Sequence, residues 1–203
     1  MKRIMLSLAL LGMVSTSAWA QNSVKMTYNY GSENTELQKI LDFENIYTEE
    51  LTFESKDLKG KHYQVDLQEF DNGQLVSNTI LLDTSEVDYF KVDSDKLTLE
   101  FFFKPSDGKL KTHIRGERFG TKKFYNDLKG KADEYVLKDF FGAKKELMID
   151  LKKPNAILAI ITPTKYADGS GSYCAVVQSD VAPEQLGTHF NIPHYFLVKI
   201  KFK

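Results

Sequence analysis

The densest group of polar and small side chains in this chain, and the first place to look for residues that could do chemistry, lies between Thr162 and His194. It contains Asp168, the only cysteine (Cys174) and a further histidine, His189. A cysteine becomes a nucleophile when a histidine within hydrogen-bond reach takes its proton. The sequence therefore offers these residues, with His194, as candidates for the catalytic site of a hydrolase.

The alternative is that Cys174 is a structural residue. It lies within a predicted strand, next to Tyr173, and not at the start of a helix. A cysteine in a strand is usually a small buried apolar side chain. The Gly/Ser-rich stretch before it is typical of a hairpin loop between strands at 156–162 and 172–178. We prefer this structural interpretation and assign no catalytic residue.

A metal site is not indicated by the sequence. The spacing from His189 to His194 includes Pro193 and does not place both rings on one helical face. The closely spaced cysteine or histidine pairs of zinc sites are also missing. We predict no metal and no other cofactor.

Acidic residues are numerous, at 28 Asp and Glu, and some lie close together in sequence, such as Glu49/Glu50 and Asp66/Glu69. A glycosidase holds two carboxylates about 5–10 Å apart beside the sugar it cleaves. Most acidic side chains are surface charges, so the sequence does not select a pair. The serine-nucleophile motif G-x-S-x-G is absent.

Three aromatic residues are candidates for a binding surface: Phe102, Tyr166 and Tyr173. Phe102 falls on the nominally polar side of its predicted strand, so it could pack against a partner or under a second layer. The two tyrosines flank the polar loop described above. Other tyrosines, such as Tyr28, Tyr30 and Tyr47, could stack on sugar rings if exposed. The only tryptophan, Trp19, lies in the predicted signal peptide, and its absence from the mature chain weakens a carbohydrate-binding interpretation.

Alternation of apolar and polar residues is the dominant pattern along the chain. Over 96–104, Leu97, Leu99, Phe101 and Phe103 occupy every second position, which is typical of a strand with one buried face. Further strands are predicted at 24–30, 46–55, 64–70, 75–82, 109–115, 119–125, 145–151, 156–162, 172–178 and 194–203.

Turn and helix signals agree with this pattern. Asp71-Asn72-Gly73 predicts a hairpin because Asn-Gly accepts the positive φ angles of a type I′ turn, and Pro105–Gly108 predicts another. Residues 34–43 predict one short helix capped by Asn34. Residues 183–187 could form a single turn, and 132–141 fits either helix or strand. The chain is therefore predicted to be mainly β, an antiparallel β-sandwich with Greek-key or meander connections.

The first 20 residues have the features of a cleaved signal peptide. Lys2 and Arg3 precede an apolar run at Ile4–Val14, and Ala18-Trp19-Ala20 places small residues before a cut at Gln21. The run is shorter than the ~20 residues of a membrane-spanning helix, and no cysteine lies near the cut to carry a lipid. We expect an exported protein, periplasmic or secreted, that is not a lipoprotein.

Composition excludes some classes of partner. The net charge is −1, with 27 Lys and Arg against 28 Asp and Glu, so no basic excess favours nucleic acid. One cysteine cannot form an internal disulfide, and 14 Phe with 10 Tyr supply core material instead. A single domain at 21–203 is expected; two small β domains divided near 104–120 are the alternative.

Three segments carry a family resemblance: Leu58-Lys-Gly-Lys, Pro163–Asp180 and Asn191–Leu197. With them the chain resembles a small family of exported proteins of unknown function from Bacteroides-type gut bacteria. The resemblance implies a Gram-negative envelope, hence the periplasm or the outer surface. It implies no catalytic residue and no ligand.

For function we favour a non-enzymatic secreted or envelope protein that binds a protein or glycan partner. The first alternative is a secreted hydrolase with its site in the 162–194 region. The second is a structural subunit that donates or accepts a strand, which an unpaired edge at 194–203 would support.

Overall fold

A computed structural model describes residues 22–166, 168–173 and 180–203. The predicted signal peptide at 1–20 lies outside the described residues. Cys174 and most of the predicted strand 172–178 also lie outside them.

In the described part of the chain, strands form two antiparallel sheets and one short two-stranded ladder. The strands are β1 (Ser23–Tyr30), β2 (Tyr47–Glu54), β3 (Tyr63–Asp71), β4 (Gln74–Asp83), β5 (Lys96–Ser106), β6 (Lys109–Gly116), β7 (Phe119–Gly120), β8 (Phe124–Asp127), β9 (Val136–Asp139), β10 (Glu146–Asp150), β11 (Asn155–Ile161), β12 (Thr164–Lys165), β13 (Gly171–Ser172) and β14 (His194–Phe202).

The larger sheet has seven strands in the order β10-β1-β2-β5-β6-β7, with β8 also paired to β6. The smaller sheet has five strands in the order β4-β3-β14-β11-β9, and β12 pairs with β13. The two sheets pack against each other, which confirms the predicted mainly β sandwich.

The inner faces of the two sheets form the main core. In β5, Leu99, Phe101 and Phe103 are buried, while Glu100 and Phe102 lie on the opposite face and are half-buried. The same alternation in the other strands brings their apolar residues into one cluster between the sheets. The period-two pattern of the sequence therefore corresponds to the two faces of each strand.

The predicted turns have the backbone angles that their residues allow. Asn72 and Gly73 have φ angles of 48° and 76°, and Asp107 and Gly108 have φ angles of 52° and 71°. Each of these two-residue turns connects two strands that pair directly with each other, β3 with β4 and β5 with β6. Both predicted hairpins are confirmed.

The predicted helix is also confirmed, as α1 (Thr35–Phe43). The side chain of Asn34 accepts hydrogen bonds from the backbone N–H groups of Glu36 and Leu37 at 3.0 and 3.2 Å. Among the described residues, no helix has both the length and the apolar character needed to cross a membrane.

Two segments differ from the predicted elements. The strand predicted at 119–125 is two short strands, β7 and β8, because Thr121 turns back to bond both backbone groups of Ile114. The ambiguous segment 132–141 begins with a 3-10 turn at Ala132–Glu134 and continues as the strand β9.

The segment 194–203 is not an edge. β14 pairs with β3 along its whole length on one side and with β11 on the other. Its outward residues Tyr195 and Leu197 are buried as well as its inward ones. Because both edges of β14 are paired over Tyr195–Ile200, this strand does not provide the unpaired edge that would support the strand-exchange alternative.

A segment from residue 180 to 192 covers the outer face of the smaller sheet. It contains a 3-10 turn at Pro183–Gln185 and the short helix α2 (Leu186–His189). Leu186 and Ile192 pack with apolar residues of β3, β11 and β14 in a second core cluster. The single turn predicted at 183–187 is thus present, and it belongs to this cover.

Candidate functional site

Hydrogen bonds within the polar loop around Asp168 stabilise its conformation. The Asp168 carboxylate accepts hydrogen bonds from the backbone N–H and hydroxyl of Ser170 at 2.9 and 2.6 Å. These hydrogen bonds lower the pKa of Asp168. Asp168 is exposed and closes the turn between β12 and β13.

His189 and His194 have different surroundings. His189 is exposed at the end of α2, with its ring against Phe190. His194 is buried, its Nδ1 lies 2.5 Å from Tyr135 Oη, and its Nε2 lies 3.1 Å from Glu69 Oε1. Both ring nitrogens of His194 are therefore engaged.

The surroundings of His194 favour its neutral form. Burial lowers the pKa of His194, although the Glu69 carboxylate acts in the opposite direction. In the neutral ring, Nε2–H donates to Glu69, and Nδ1 accepts the proton of Tyr135. The Tyr135 oxygen in turn accepts hydrogen bonds from the backbone N–H groups of Lys129 and Gly130 at 3.2 and 3.1 Å. This closed network ties β3, β14 and the segment before β9 together.

The aromatic candidates are dispersed. Tyr166 is exposed on the β12–β13 loop, and the hydroxyl of Tyr173 donates to the backbone oxygen of Glu134 at 2.8 Å. Phe102 is half-buried on the outer face of β5, with its ring 5.9 Å from that of His113. The described candidates of the 162–194 region are not brought together, and Cys174 lies outside the described residues.

A different part of the molecule holds a groove of about 600 Å³. Its floor is the outer face of the larger sheet, where β2, β5 and β6 lie side by side. Its walls are the loop between β4 and β5 and the turn between β6 and β7.

One row of charged side chains crosses the groove floor. Glu50 lies opposite Glu100 in the β2–β5 register, and Glu100 lies opposite Arg115 in the β5–β6 register. Partial burial, followed by the nearby Glu50 carboxylate, raises the pKa of Glu100, while the Arg115 guanidinium acts in the opposite direction. Beside this row, the hydroxyl oxygens of Thr98 and Thr52 lie 3.1 Å apart.

Aromatic rings line the wall of the groove. Tyr89, Phe90 and Phe119 form a chain of edge-to-face contacts with ring centroids 5.3 and 5.5 Å apart. The Arg118 guanidinium lies 5.1 Å from the centre of the Tyr89 ring and bonds Asp93 at 2.8 Å. The exposed Tyr89 ring is thus held at the rim.

The turn that carries Phe119 depends on a glycine. A Cβ atom at Gly116 would lie 2.3 Å from Cε1 of Phe119, because the ring rests directly on the Gly116 backbone. Only a residue without a side chain permits this contact. Gly116 therefore sets the position of the Phe119 ring in the groove wall.

The charges of the groove are balanced in sign. Four acidic and four basic side chains line it: Glu50, Asp93, Glu100 and Glu117, with Lys91, Lys96, Arg115 and Arg118. A polyanion such as nucleic acid needs a basic surface, so this lining suits a ligand without a large net charge.

This groove is not predicted from the sequence. In the sequence Glu50 is paired only with its neighbour Glu49, but alternation places neighbouring strand residues on opposite faces. The actual neighbour of Glu50 is Glu100, and the sequence signals for both were their polar positions in predicted strands. Strand pairing, which the sequence did not provide, brings them together.

Within the described residues, no group of three or more histidine, cysteine or acidic side chains could hold a metal ion. Comparison with protein-family models, with curated proteins and with solved structures finds no match to this chain. The predicted family resemblance therefore stays a prediction, and the groove is interpreted from its own geometry.

Proposed function

We propose that this protein binds a neutral oligosaccharide in the groove on the outer face of the larger sheet. The observation that carries the proposal is an exposed aromatic ring, Tyr89, in the wall of the same groove whose floor carries a row of hydrogen-bonding side chains, Glu50, Glu100 and Arg115. Export to the periplasm or the cell exterior, predicted from the N-terminal sequence, belongs to the same proposal.

A sugar ring needs both kinds of contact. Its C–H face packs on an aromatic ring, and its hydroxyl groups both donate and accept hydrogen bonds. Carboxylates such as Glu50 accept from hydroxyls, whereas the Arg115 guanidinium donates. The balanced charge of the lining favours a neutral sugar over a uronate or sulfate polymer.

The groove also has the size and the form for such a ligand. Binding sites for small molecules are concave and have volumes of about 300–1,000 Å³, and this groove has about 600 Å³. Its floor is a sheet with regular register, which holds the polar side chains at fixed spacing.

The test is calorimetric titration of residues 21–203 with a panel of neutral hexaoses: cello-, xylo-, manno- and malto-hexaose. Tyr89→Ala is expected to weaken binding about 10-fold, equivalent to about 1.4 kcal/mol, because it removes the stacking surface.

Tyr125→Ala is the matched control. Tyr125 is 61% exposed and Tyr89 is 59% exposed, but Tyr125 lies on β8 outside the groove. Affinity should be unchanged in this variant. Failure of all four hexaoses to bind, or equal loss in both variants, would exclude the proposal.

A further inference from the structure

The paired carboxylates on the groove floor support an activity beyond binding. We infer that Glu50 and Glu100 form the catalytic pair of a retaining glycosidase that cleaves the neutral oligosaccharide held in this groove. The inference rests on the proposed function, since it requires the sugar to lie across the Glu50–Glu100 row.

The first argument is spacing. Glu50 and Glu100 are direct cross-strand partners on the same face of the sheet. Side chains in this relation have Cβ atoms about 4.5–5.5 Å apart. The two carboxyl groups of retaining glycosidases lie about 5–5.5 Å apart, while inverting enzymes need about 6.5–9.5 Å to admit a water molecule. From Cβ atoms at this spacing, two glutamate side chains on one face can bring their carboxyl groups to the retaining distance.

The second argument is the difference between the two carboxyl groups. Glu100 is half-buried in the middle of the row, whereas Glu50 is exposed. Burial and the neighbouring carboxylate raise the pKa of Glu100, which favours its protonated form. A retaining glycosidase requires one protonated acid and one carboxylate nucleophile, so Glu100 takes the acid role and Glu50 the nucleophile role.

The third argument is the wall of the groove. Tyr89 gives a sugar ring a surface to stack on, and Arg115 gives a donor beside Glu100. These contacts would hold the glycosidic oxygen over the carboxylate pair. Positioning of this kind distinguishes the pair from acidic residues that are only close on an open surface.

The reaction balances with water as the only co-reactant. The Glu50 carboxylate attacks the anomeric carbon, the bond from that carbon to the glycosidic oxygen breaks, and Glu100 gives its proton to this oxygen. Water then attacks the anomeric carbon, gives a proton to Glu100, and displaces Glu50. Both carboxyl groups return to their starting states.

The experiment measures reducing ends released from whichever hexaose binds most tightly in the titration above. Glu100→Gln and Glu50→Gln are each expected to lower the rate at least ~100-fold, the usual scale for losing an acid catalyst or a nucleophile. Glu54→Gln is the matched control, since Glu54 is on the same strand and face but forms an ion pair with Lys25 and does not line the groove.

A second substrate separates an acid catalyst from a structural residue. The 2,4-dinitrophenyl glycoside of the same sugar has a leaving group that needs no proton. Glu100→Gln should therefore cleave it at close to the wild-type rate for the first turnover, while Glu50→Gln should not. A structural defect would slow both substrates equally.

The outcomes are distinct. Binding without release of reducing ends would overturn the inference and leave the proposed function intact. Hydrolysis that persists in both Gln variants would also overturn it. Absence of binding would instead remove the proposed function on which it rests.

Discussion

The outer faces of the two sheets differ in what lies over them. On the smaller sheet, Phe70 and Tyr195 stack with ring centroids 4.7 Å apart, and the segment from 180 to 192 closes over the apolar residues around them. On the larger sheet, the corresponding face carries Glu50, Glu100 and Arg115 and opens into a groove.

The covered face of the smaller sheet contributes to stability, whereas the open face of the larger sheet is available for ligand recognition. An apolar sheet face must be covered to remove it from water, and here the chain itself supplies the cover. A polar face has no such need, so its regular spacing is available for a ligand. We expect substitutions on the covered face to change the free energy of unfolding and substitutions on the open face to change affinity.

The largest expected effect is on the covered face. Leu186 is 1% exposed and fills the contact between α2 and the smaller sheet. Leu186→Ala should lower the free energy of unfolding by about 2–5 kcal/mol, because it removes buried apolar surface and leaves a cavity. Urea denaturation followed by circular dichroism measures this change.

Leu37→Ala is the control for this variant, because Leu37 is exposed on α1 and should contribute little to stability. Below its unfolding transition, Leu186→Ala should bind the hexaose as the wild-type protein does. A loss of affinity at full folding would show that the two faces are coupled.

The next effect concerns Glu49 and Glu50, adjacent residues that point to opposite sides of β2. Glu50 enters the groove, whereas Glu49 is 1% exposed between the sheets and its Oε1 has no hydrogen-bond partner among the described residues. Burial, with Asp139 nearby, raises the pKa of Glu49 to about 8. The folded chain therefore keeps a proton that the unfolded chain releases near pH 4.5.

This raised pKa makes stability depend on pH. Glu49 contributes to the free energy of unfolding through the proton that it keeps in the folded chain. This contribution is fully present below about pH 4.5 and is lost as the pH rises to about 8, by up to ~1.4 kcal/mol per pH unit. Glu49→Gln removes this loss. Its stability relative to wild type should therefore increase by about 2–3 kcal/mol between pH 5 and pH 8.

Urea denaturation at both pH values checks this, with the exposed Glu50→Gln as the neighbouring control. A pH dependence that is the same in wild type and Glu49→Gln would mean that Glu49 is not the titrating group.

The same contrast shows what could be predicted from the sequence. Strands and hairpins follow from local signals, such as alternation over 96–104 and the Asn72-Gly73 turn. The run Tyr195–Val198 is apolar at consecutive positions, which indicates a strand covered on both faces. That signal was available, and it argues against an edge at 194–203.

The groove could not be predicted in the same way. Glu50 and Glu100 are far apart in sequence, and only the pairing of β2 with β5 makes them neighbours. His194 illustrates the same limit, because its partners Glu69 and Tyr135 come from distant segments. Local patterns assign a residue to a face of its strand, but the neighbours on that face depend on the order of strands in the sheet.

The smallest expected effect is on the wall of the open face. Gly116→Ala places a methyl group where the Phe119 ring rests, so the ring must move out of its present position. Phe119 and Gly116 are only half-buried, and Phe119 packs at the margin of the core. Stability should therefore fall by about 1 kcal/mol or less, while affinity for the hexaose should fall several-fold. Calorimetric titration and urea denaturation of the same sample give both values.

Gly108→Ala is the control, since its added carbon meets no atom within 4 Å and its turn lies outside the groove. It should lower stability through its positive φ and leave affinity unchanged. If Gly116→Ala lowers stability by several kcal/mol at constant affinity, the wall is part of the core and the division between the two faces does not hold.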